Sequence, residues 1–219
     1  MGKTVLPTIE QQNSVCFQVE AVQPRASVGY AFVKRTGDIL VALLVALIGL
    51  LPMLIIALLI KLDSKGPVIF RQERLGKNGR SFTMLKFRSM YVDAERNGPQ
   101  WADKEDDRCT RVGAFLRKTR LDELPQFWNI LIGDMSLVGP RPERPFFYDE
   151  FEQYIHGFRN RLAVRPGLTG WAQVSGGYDL LPEEKIVFDM EYIEKMSVGM
   201  DLKCIFKTVW LVFTHEGAR

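Results

Sequence analysis

The chain is poor in the residues that build metal centres and disulfide frameworks. Its 219 residues include two histidines, His156 and His215, and three widely spaced cysteines, Cys16, Cys109 and Cys204. An odd, scattered cysteine set supplies neither a disulfide scaffold nor paired zinc spacing, and agrees with a reducing cytosol. Two histidines leave little material for a histidine-rich metal centre or a Ser-His-Asp system. Any metal is therefore expected on oxygen ligands. A strong excess of one charge is also missing, since the formal net charge is +3. Nucleic-acid binding usually needs a denser basic patch, so no nucleic-acid partner is expected. A mild positive balance suits a chain beside anionic lipid or one that handles anionic substrates. There is no internal repeat and no low-complexity tract, and Gly176-Gly177 is too short to read as a phosphate cradle.

What the chain does have is one long apolar run with a break inside it. Ile39 to Ile60 reads ILVALLVALIGLLPMLIIALLI, 22 residues without a charge. At 1.5 Å per residue this is roughly 33 Å of helix, enough to cross a bilayer core. Pro52 lies well inside it, where proline removes a backbone hydrogen bond and bends a helix. Arg25, Lys34 and Arg35 precede the run, and Lys61, Lys65, Arg71 and Arg74 follow it. Basic residues favour the cytoplasmic side of a membrane, and here both flanks are basic. A helix that kinks at Pro52 and turns back within one leaflet satisfies both flanks. A spanning helix with a tolerated proline is the alternative. A buried core helix fits such a long uncharged run poorly. A cleaved signal peptide fits worse, because the run starts late, is too long and has no small-residue cleavage site after it.

The rest divides by composition. Residues 1–33 read as a weakly ordered tail. Residues 34–65 form the membrane element, 66–200 a polar domain that is expected on the cytosolic side and holds the candidate catalytic residues considered below, and 201–219 an amphipathic C-terminal helix. Without the tail and the apolar run, roughly 150 residues remain, an ordinary domain. Val68 to Arg74 and Ser81 to Arg88 are rich in β-branched and aromatic residues, with Asn78-Gly79 between them to supply a tight turn. They predict a β-hairpin. Asn97 to Asp107 reads as a loop. Thr110 to Thr119 predicts a short helix with Val112, Phe115 and Leu116 on one face. A second helix is expected to begin at Asp122-Glu123-Leu124-Pro125 and close at Gly133. Val138 to Pro145 is expected to be irregular, Pro145 to Arg161 helical, Arg165 to Gly177 a Gly-rich loop and Pro182 to Lys195 a helix. The stretch from Asp201 to Thr214 carries Leu202, Ile205, Phe206, Val209 and Trp210 on one side, with Lys203 and Lys207 toward the other. That pattern suits a membrane interface. The fold class is α+β and mainly helical, with a membrane helix-break-helix that either spans or turns back, a small domain bearing a β-hairpin, and amphipathic interfacial helices.

Asp122-Glu123 is the first candidate for chemistry. Adjacent carboxylates on a helix project about 100° apart, so they do not face each other as a proton-sharing dyad. Different tasks follow. A carboxylate at a helix N-terminus is favoured in its ionised form. An ionised aspartate is a competent nucleophile toward phosphorus, and its glutamate neighbour can hold Mg²⁺ against a diphosphate. The competing reading is that Thr119-x-x-Asp122 is helix punctuation. Lys86, Arg88, Arg117 and Arg141 supply basic context. Pro140 and Pro142 stiffen the backbone around Arg141, which favours forked contacts to phosphate oxygens. Arg165-Pro166-Gly167 and Gly170-Trp171-Ala172-Gln173 form a second rigid segment, a nucleotide pocket wall or a packed turn.

Taken together, these segments resemble the bacterial sugar transferases, the monotopic polyprenyl-phosphate phosphoglycosyl transferases. The matching stretches are Val68-Ile-Phe-Arg-Gln-Glu-Arg-Leu-Gly, Lys86-Phe-Arg-Ser-Met90, Thr110-Arg-Val-Gly, Leu121-Asp-Glu-Leu-Pro-Gln126, Gly133-Asp-Met-Ser-Leu-Val-Gly-Pro-Arg-Pro142 and Arg165-Pro-Gly-Leu-Thr-Gly-Trp-Ala-Gln173. The resemblance runs from about Lys34 to the C-terminus. It implies transfer of a phosphosugar from a nucleotide diphosphate sugar, usually a UDP-sugar, to a polyprenyl phosphate such as undecaprenyl phosphate. UMP is released, in the first membrane step of exopolysaccharide, O-antigen, capsule or glycoprotein glycan synthesis. It implies that Asp122 is a nucleophile forming an aspartyl intermediate, and that Glu123 is a Mg²⁺ ligand. Lys86, Arg88, Arg117 and Arg141 would bind substrate phosphate, and Pro140-Arg141-Pro142 would form part of the nucleotide site. It implies a monotopic place on the cytosolic face of the bacterial inner membrane, in contact with lipid, with a re-entrant bend at Pro52. A homodimer is left open. Two departures stand out. Many members have serine before the membrane proline where this chain has Leu51, and relatives often have asparagine in place of Ser175. Two rival readings are a membrane-anchored scaffold whose carboxylates are caps, and a phosphohydrolase that gives an aspartyl intermediate to water.

Overall fold

A computed structural model describes residues 17–96, 98, 106–176 and 180–214. Residues 1–16 of the expected tail, most of the expected loop after Asn97, and the C-terminal residues from His215 lie outside the described residues. The tail reading fails from Phe17 onward. Strand β1 (Phe17–Gln18) pairs in parallel with β5 (Ile155–His156), and helix α1 already begins at Val28. Ser27 caps that helix by accepting the Tyr30 amide at 3.1 Å.

Helix α1 (Val28–Asp63) is a single helical element that continues through Pro52. Between residues 43 and 55 no residue is buried, and Leu47, Ile48, Leu51 and Leu54 are all exposed. Val45, Gly49 and Met53, spaced four residues apart along one face, are the half-buried ones. The same face continues into Ala42 and Ile56, which are buried. Both ends of α1 are tied to the domain. At the N-terminal end, the Arg35 guanidinium donates to the carbonyls of Ile130 and Leu131 at 2.7 and 2.8 Å. Asp38 accepts the Leu137 amide at 2.9 Å and the Ser136 hydroxyl at 3.1 Å. At the C-terminal end, Asp63 accepts the Val112 amide at 3.0 Å, and Arg88 donates to the carbonyls of Ser64 and Lys65.

The expected hairpin forms, with β2 (Ile69–Leu75) antiparallel to β3 (Ser81–Phe87). Asn78 and Gly79 take φ values of 58° and 75°, the left-handed turn that this pair favours. Helix α2 (Arg111–Thr119) is capped by Thr110, whose hydroxyl accepts the Gly113 amide at 3.0 Å. A side chain at Gly113 would collide with the Ser89 carbonyl at 1.9 Å, so α2 sits directly on the end of β3. The Thr-Arg-Val-Gly motif thus encodes a cap and a close approach. On α2, Leu116 is buried but Phe115 is exposed, so only part of the expected apolar face turns inward.

Three expectations need correction. The helix expected from Asp122 starts later, as α3 (Gln126–Ile132), and the two carboxylates lie on a separate 3-10 turn, Leu121–Glu123. Arg120 at φ 58° breaks the path between α2 and that turn. The helix expected over 145–161 ends early, as α4 (Pro145–Glu152), because β5 and a 3-10 turn over Phe158–Ala163 follow. The loop expected over 165–177 contains strand β6 (Gly167–Thr169), parallel to β4 (Ser136–Val138), and helix α5 (Trp171–Ser175). Helix α6 (Pro182–Lys195) has its expected bounds. Helix α7 (Val198–Thr214) begins before residue 201 and exposes Leu202, Phe206, Val209 and Trp210. The main core gathers Tyr148, Phe151, Ile155, Phe158, Ile186 and Ile193 beneath the site.

Candidate active site

The site forms where β3, the turn bearing the carboxylates and the segment after β4 meet. Lys86 comes from β3, one residue from its end, and the alternation of the strand aims it at that turn. Asn129 of α3 fixes this strand edge, since its amide accepts from the Leu85 N–H at 3.0 Å and donates to the Thr83 carbonyl at 2.8 Å. Gly133 ends α3 at φ 97°, and β4 then carries the chain to Gly139-Pro140-Arg141-Pro142. That segment crosses the Arg165-to-Gly170 segment at backbone contact. A side chain at Gly167 would meet the Gly139 nitrogen at 2.1 Å, and one at Gly170 the Gly139 carbonyl at 2.2 Å. The glycines of both motifs are there for this crossing.

Glu123 is gripped by two cations. Lys86 Nζ lies 3.4 Å from Oε1, and Arg141 makes a short ion pair with the same oxygen. Burial favours the protonated Glu123, but Arg141 and Lys86 outweigh it and hold the carboxyl below its usual range, at about 2. Burial lowers the pKa of Lys86, and Glu123 opposes that shift. Asp122 is 8% exposed, and no hydrogen bond reaches its carboxylate among the described residues. Burial pushes its pKa up to about 6, against the pull of Lys86. The expected helix-dipole depression therefore does not hold at Asp122, because this residue is not on a helix N-terminus and desolvation dominates.

Both carboxylates open into one cavity of about 550 Å³. This is ordinary for a small-ligand site. Its lining holds ten basic side chains against five acidic ones, so it favours an anionic ligand. Lys86, Arg117, Asp122, Glu123 and Arg141, all singled out in the sequence, line that cavity together. Arg117 also contacts the Cys109 sulfur at 3.6 Å. Arg88 lines the cavity, but its guanidinium holds the two carbonyls at the end of α1, so its visible task is structural. Pro140 and Pro142 are buried behind Arg141 and do not line the cavity. Pro52 is on the exposed stretch of α1 and is not part of the cavity.

The sequence reading missed a second charged group in the same cavity. Arg74, Glu143, Arg161, Lys185 and Asp189 line it. Arg74 and Lys185 flank Glu143 at 3.3 and 3.7 Å, and Arg161 pairs with Asp189 at 2.6 Å with both side chains essentially buried. A signal for Asp189 was available. It shares the spacing i, i+3, i+4, i+7 with Ile186, Met190 and Ile193, which places a charge on the apolar face of α6. Glu143 directly follows the Pro-Arg-Pro segment, and Arg74 lies in a strand already singled out.

The fold and site define a class: an α+β protein with one membrane-length apolar helix and a cation-lined cavity around adjacent carboxylates. Residues 29–215 match the bacterial sugar transferases, and the chain belongs to that family. Over 193 residues it is 48% identical to the UDP-N-acetylgalactosamine-undecaprenyl-phosphate N-acetylgalactosaminephosphotransferase of Aeromonas hydrophila, covering 87% of this chain and 46% of the relative. Over 190 residues it is 45% identical to the UDP-glucose:undecaprenyl-phosphate glucose-1-phosphate transferase of Escherichia coli K12, covering 84% of this chain and 41% of that protein. The chain thus spans less than half the length of these two relatives.

Proposed function

We propose that this chain transfers a sugar phosphate from a UDP-sugar to a polyprenyl phosphate, using Asp122 as the nucleophile. The observation that carries this reading is the contrast within the carboxylate pair. Glu123 is fixed by Lys86 and Arg141, while Asp122 faces the cationic cavity without a hydrogen bond among the described residues. The names of the two relatives support the donor and the acceptor. In the first step an Asp122 carboxylate oxygen bonds to the phosphorus that carries the sugar. The bond from that phosphorus to the bridging oxygen breaks, and UMP leaves with the electron pair. In the second step a phosphate oxygen of the polyprenyl phosphate attacks the same phosphorus, and the Asp122 carboxylate is released. Arg141, Lys86 and Arg117 stabilise the negative charge that moves through the site.

A magnesium ion fits the donor chemistry present. No group of three metal-binding side chains occurs among the described residues. Mg²⁺, however, is commonly held by one or two carboxylates together with substrate phosphates and water. Lys86 and Arg141 both address Glu123 Oε1, which leaves Oε2 as a hard oxygen donor. When bound, the ion would supply Lewis-acid stabilisation of the diphosphate.

Both ends of α1 are attached to the same domain, which supports a re-entrant helix and a monotopic placement on the cytosolic face of the inner membrane. The acceptor phosphate lies at that surface and the donor is soluble, so a site beside α1 serves both. The test is UMP release from a panel of UDP-sugars, with and without polyprenyl phosphate. Release that requires the lipid phosphate and yields a polyprenyl diphosphate sugar is expected. Sustained release without an acceptor would make the chain a phosphohydrolase, and no release from any donor would leave the scaffold reading.

A further inference from the structure

Arg141 sits in a backbone that is short of donors, because the prolines on either side have no N–H. The segment is held through its carbonyls instead. Pro140 accepts the Gly167 amide at 2.9 Å, Arg141 accepts Arg161 Nη2 at 2.9 Å, and Pro142 accepts Arg74 Nη1 at 3.1 Å. The next carbonyl, Glu143, accepts the Leu75 amide at 3.2 Å. Four successive carbonyls are thus tied to different parts of the fold. At Arg141 itself the tie to its carbonyl is a charged side chain, Arg161.

That side chain is costly to keep. Arg161 is 2% exposed and Asp189 1% exposed, and the Nε and Nη1 of Arg161 have no hydrogen-bond partner among the described residues. A buried ion pair of this kind adds little net stability over an apolar pair of the same volume. Its geometry does something an apolar pair does not. The Phe158 ring packs beneath the guanidinium at 4.9 Å, and one nitrogen, Arg161 Nη2, lies 2.6 Å from the Asp189 carboxylate of α6 while it donates to the Arg141 carbonyl.

We infer that Arg161 and Asp189 are positioning residues for Arg141, fixing the backbone from which it addresses Glu123 and the donor diphosphate. The inference rests on the reading of Arg141 as a donor anchor. Arg161 acts on the donor only through Arg141, so its effect disappears when the Arg141 guanidinium is removed. Lysine at 161 does not replace it, because an ammonium on a flexible stem lacks the planar face that packs on Phe158 and fixes Nη2 between the Asp189 carboxylate and the carbonyl.

The test is a double-mutant cycle on UDP affinity, measured by calorimetry on the full chain in detergent. Arg161→Lys is expected to weaken UDP binding about tenfold, the scale of one charge-assisted hydrogen bond. In an Arg141→Ala background the same change is expected to cost less than about twofold. Asp189→Asn, which keeps the shape of the pair, is expected to follow the same pattern and serves if the lysine variant does not fold. Equal losses in both backgrounds, or no loss in either, would overturn the inference and mark the pair as core structure. Acceptor-dependent UMP release by the unmodified chain is measured alongside. If release depends on the acceptor and the cycle is additive, only the positioning role falls. If the cycle is coupled and no transfer occurs, the transferase reading falls while the positioning stands.

Discussion

At the scale of single residues, the different roles proposed for the two carboxylates follow from their different surroundings. Glu123 is held ionised by Arg141 and Lys86, whereas Asp122 is desolvated and its pKa is raised to about 6. A nucleophilic carboxylate works in its ionised form. Single-turnover capture of the sugar phosphate is therefore expected to rise as pH increases through about 6 and then level off. Asp122→Asn is expected to abolish that capture; near-normal turnover in this variant would refute the nucleophile assignment. The sign for stability is opposite. An acid whose folded pKa is raised above its ordinary 3.8 destabilises the fold once it ionises. Asp122→Asn should melt at a higher temperature than the unmodified chain at pH above that shifted value, with the gap closing as pH falls through it toward the ordinary one. Thermal melts across that range measure it, and an asparagine variant that is less stable at neutral pH would show that the carboxylate has a partner in the fold. Glu123→Gln removes a hard anionic ligand, so its loss of turnover is expected to be relieved in part by raised Mg²⁺, which checks the metal assignment. Asp122 and Glu123 were legible as an adjacent pair. Their opposite pKa directions were not, because those come from Lys86 and Arg141, which are distant in sequence and meet them only in the fold.

At the scale of elements, what the sequence showed well were the pieces with a local cause. The hairpin followed from Asn78-Gly79, α6 from its proline start, and the end of α3 from Gly133. What it hid were elements formed by long-range pairing. Strands β4 and β6 have three residues each and exist because two glycine-bearing segments cross, a fact without local periodicity. In sequence the carboxylate turn reads as the start of α3, because Leu124, Phe127, Trp128 and Leu131 follow it at i, i+3, i+4 and i+7. The left-handed Arg120 cannot be read from such a pattern. Asn129 illustrates how one side chain joins elements: from α3 it satisfies both a donor and an acceptor of β3, on either side of Met84 and one residue from Lys86. Asn129→Ala leaves two backbone groups without partners at a buried position. A loss of about 2 kcal/mol is expected, together with weaker donor binding through a displaced Lys86. Chemical denaturation and UDP titration check both, and an unchanged midpoint would mean that water replaces the amide.

At the scale of the whole molecule, the proposed transfer depends on the placement of α1, which would bring a soluble donor to a lipid acceptor. The helix has 36 residues, about 54 Å if straight. Its middle is apolar on every side, and only the Val45, Gly49 and Met53 face is partly covered. Asp38 bonds to β4 and Asp63 to the start of α2, in the same domain that holds Asp122 and Glu123. Ala42 shares a buried cluster with Met84, and Ile60 shares another with Phe87; Met84 and Phe87 are both on β3. A helix that crosses the bilayer separates its ends by a hydrocarbon core of about 30 Å, and a single small domain on one side does not hold both ends. In the proposed re-entrant arrangement, a bend at Pro52 would bring both polar ends back to the domain while the apolar middle enters one leaflet. The exposed Phe206 and Trp210 of α7 add apolar and interfacial contact around it. The prediction concerns Val33 and Lys65, both exposed at the two ends of α1. In a cysteine-free background, Val33→Cys and Lys65→Cys are each expected to resist a membrane-impermeant maleimide in intact cells and to react after permeabilisation. Labelling of position 33 in intact cells, with position 65 protected, would establish a spanning helix. It would also require the Arg35 and Asp38 contacts to be absent in the membrane, so variants at Arg35 and Asp38 should then leave turnover unchanged. Under the re-entrant arrangement those contacts anchor the domain beside the lipid phosphate, and their loss lowers acceptor-dependent turnover more than binding of soluble UDP.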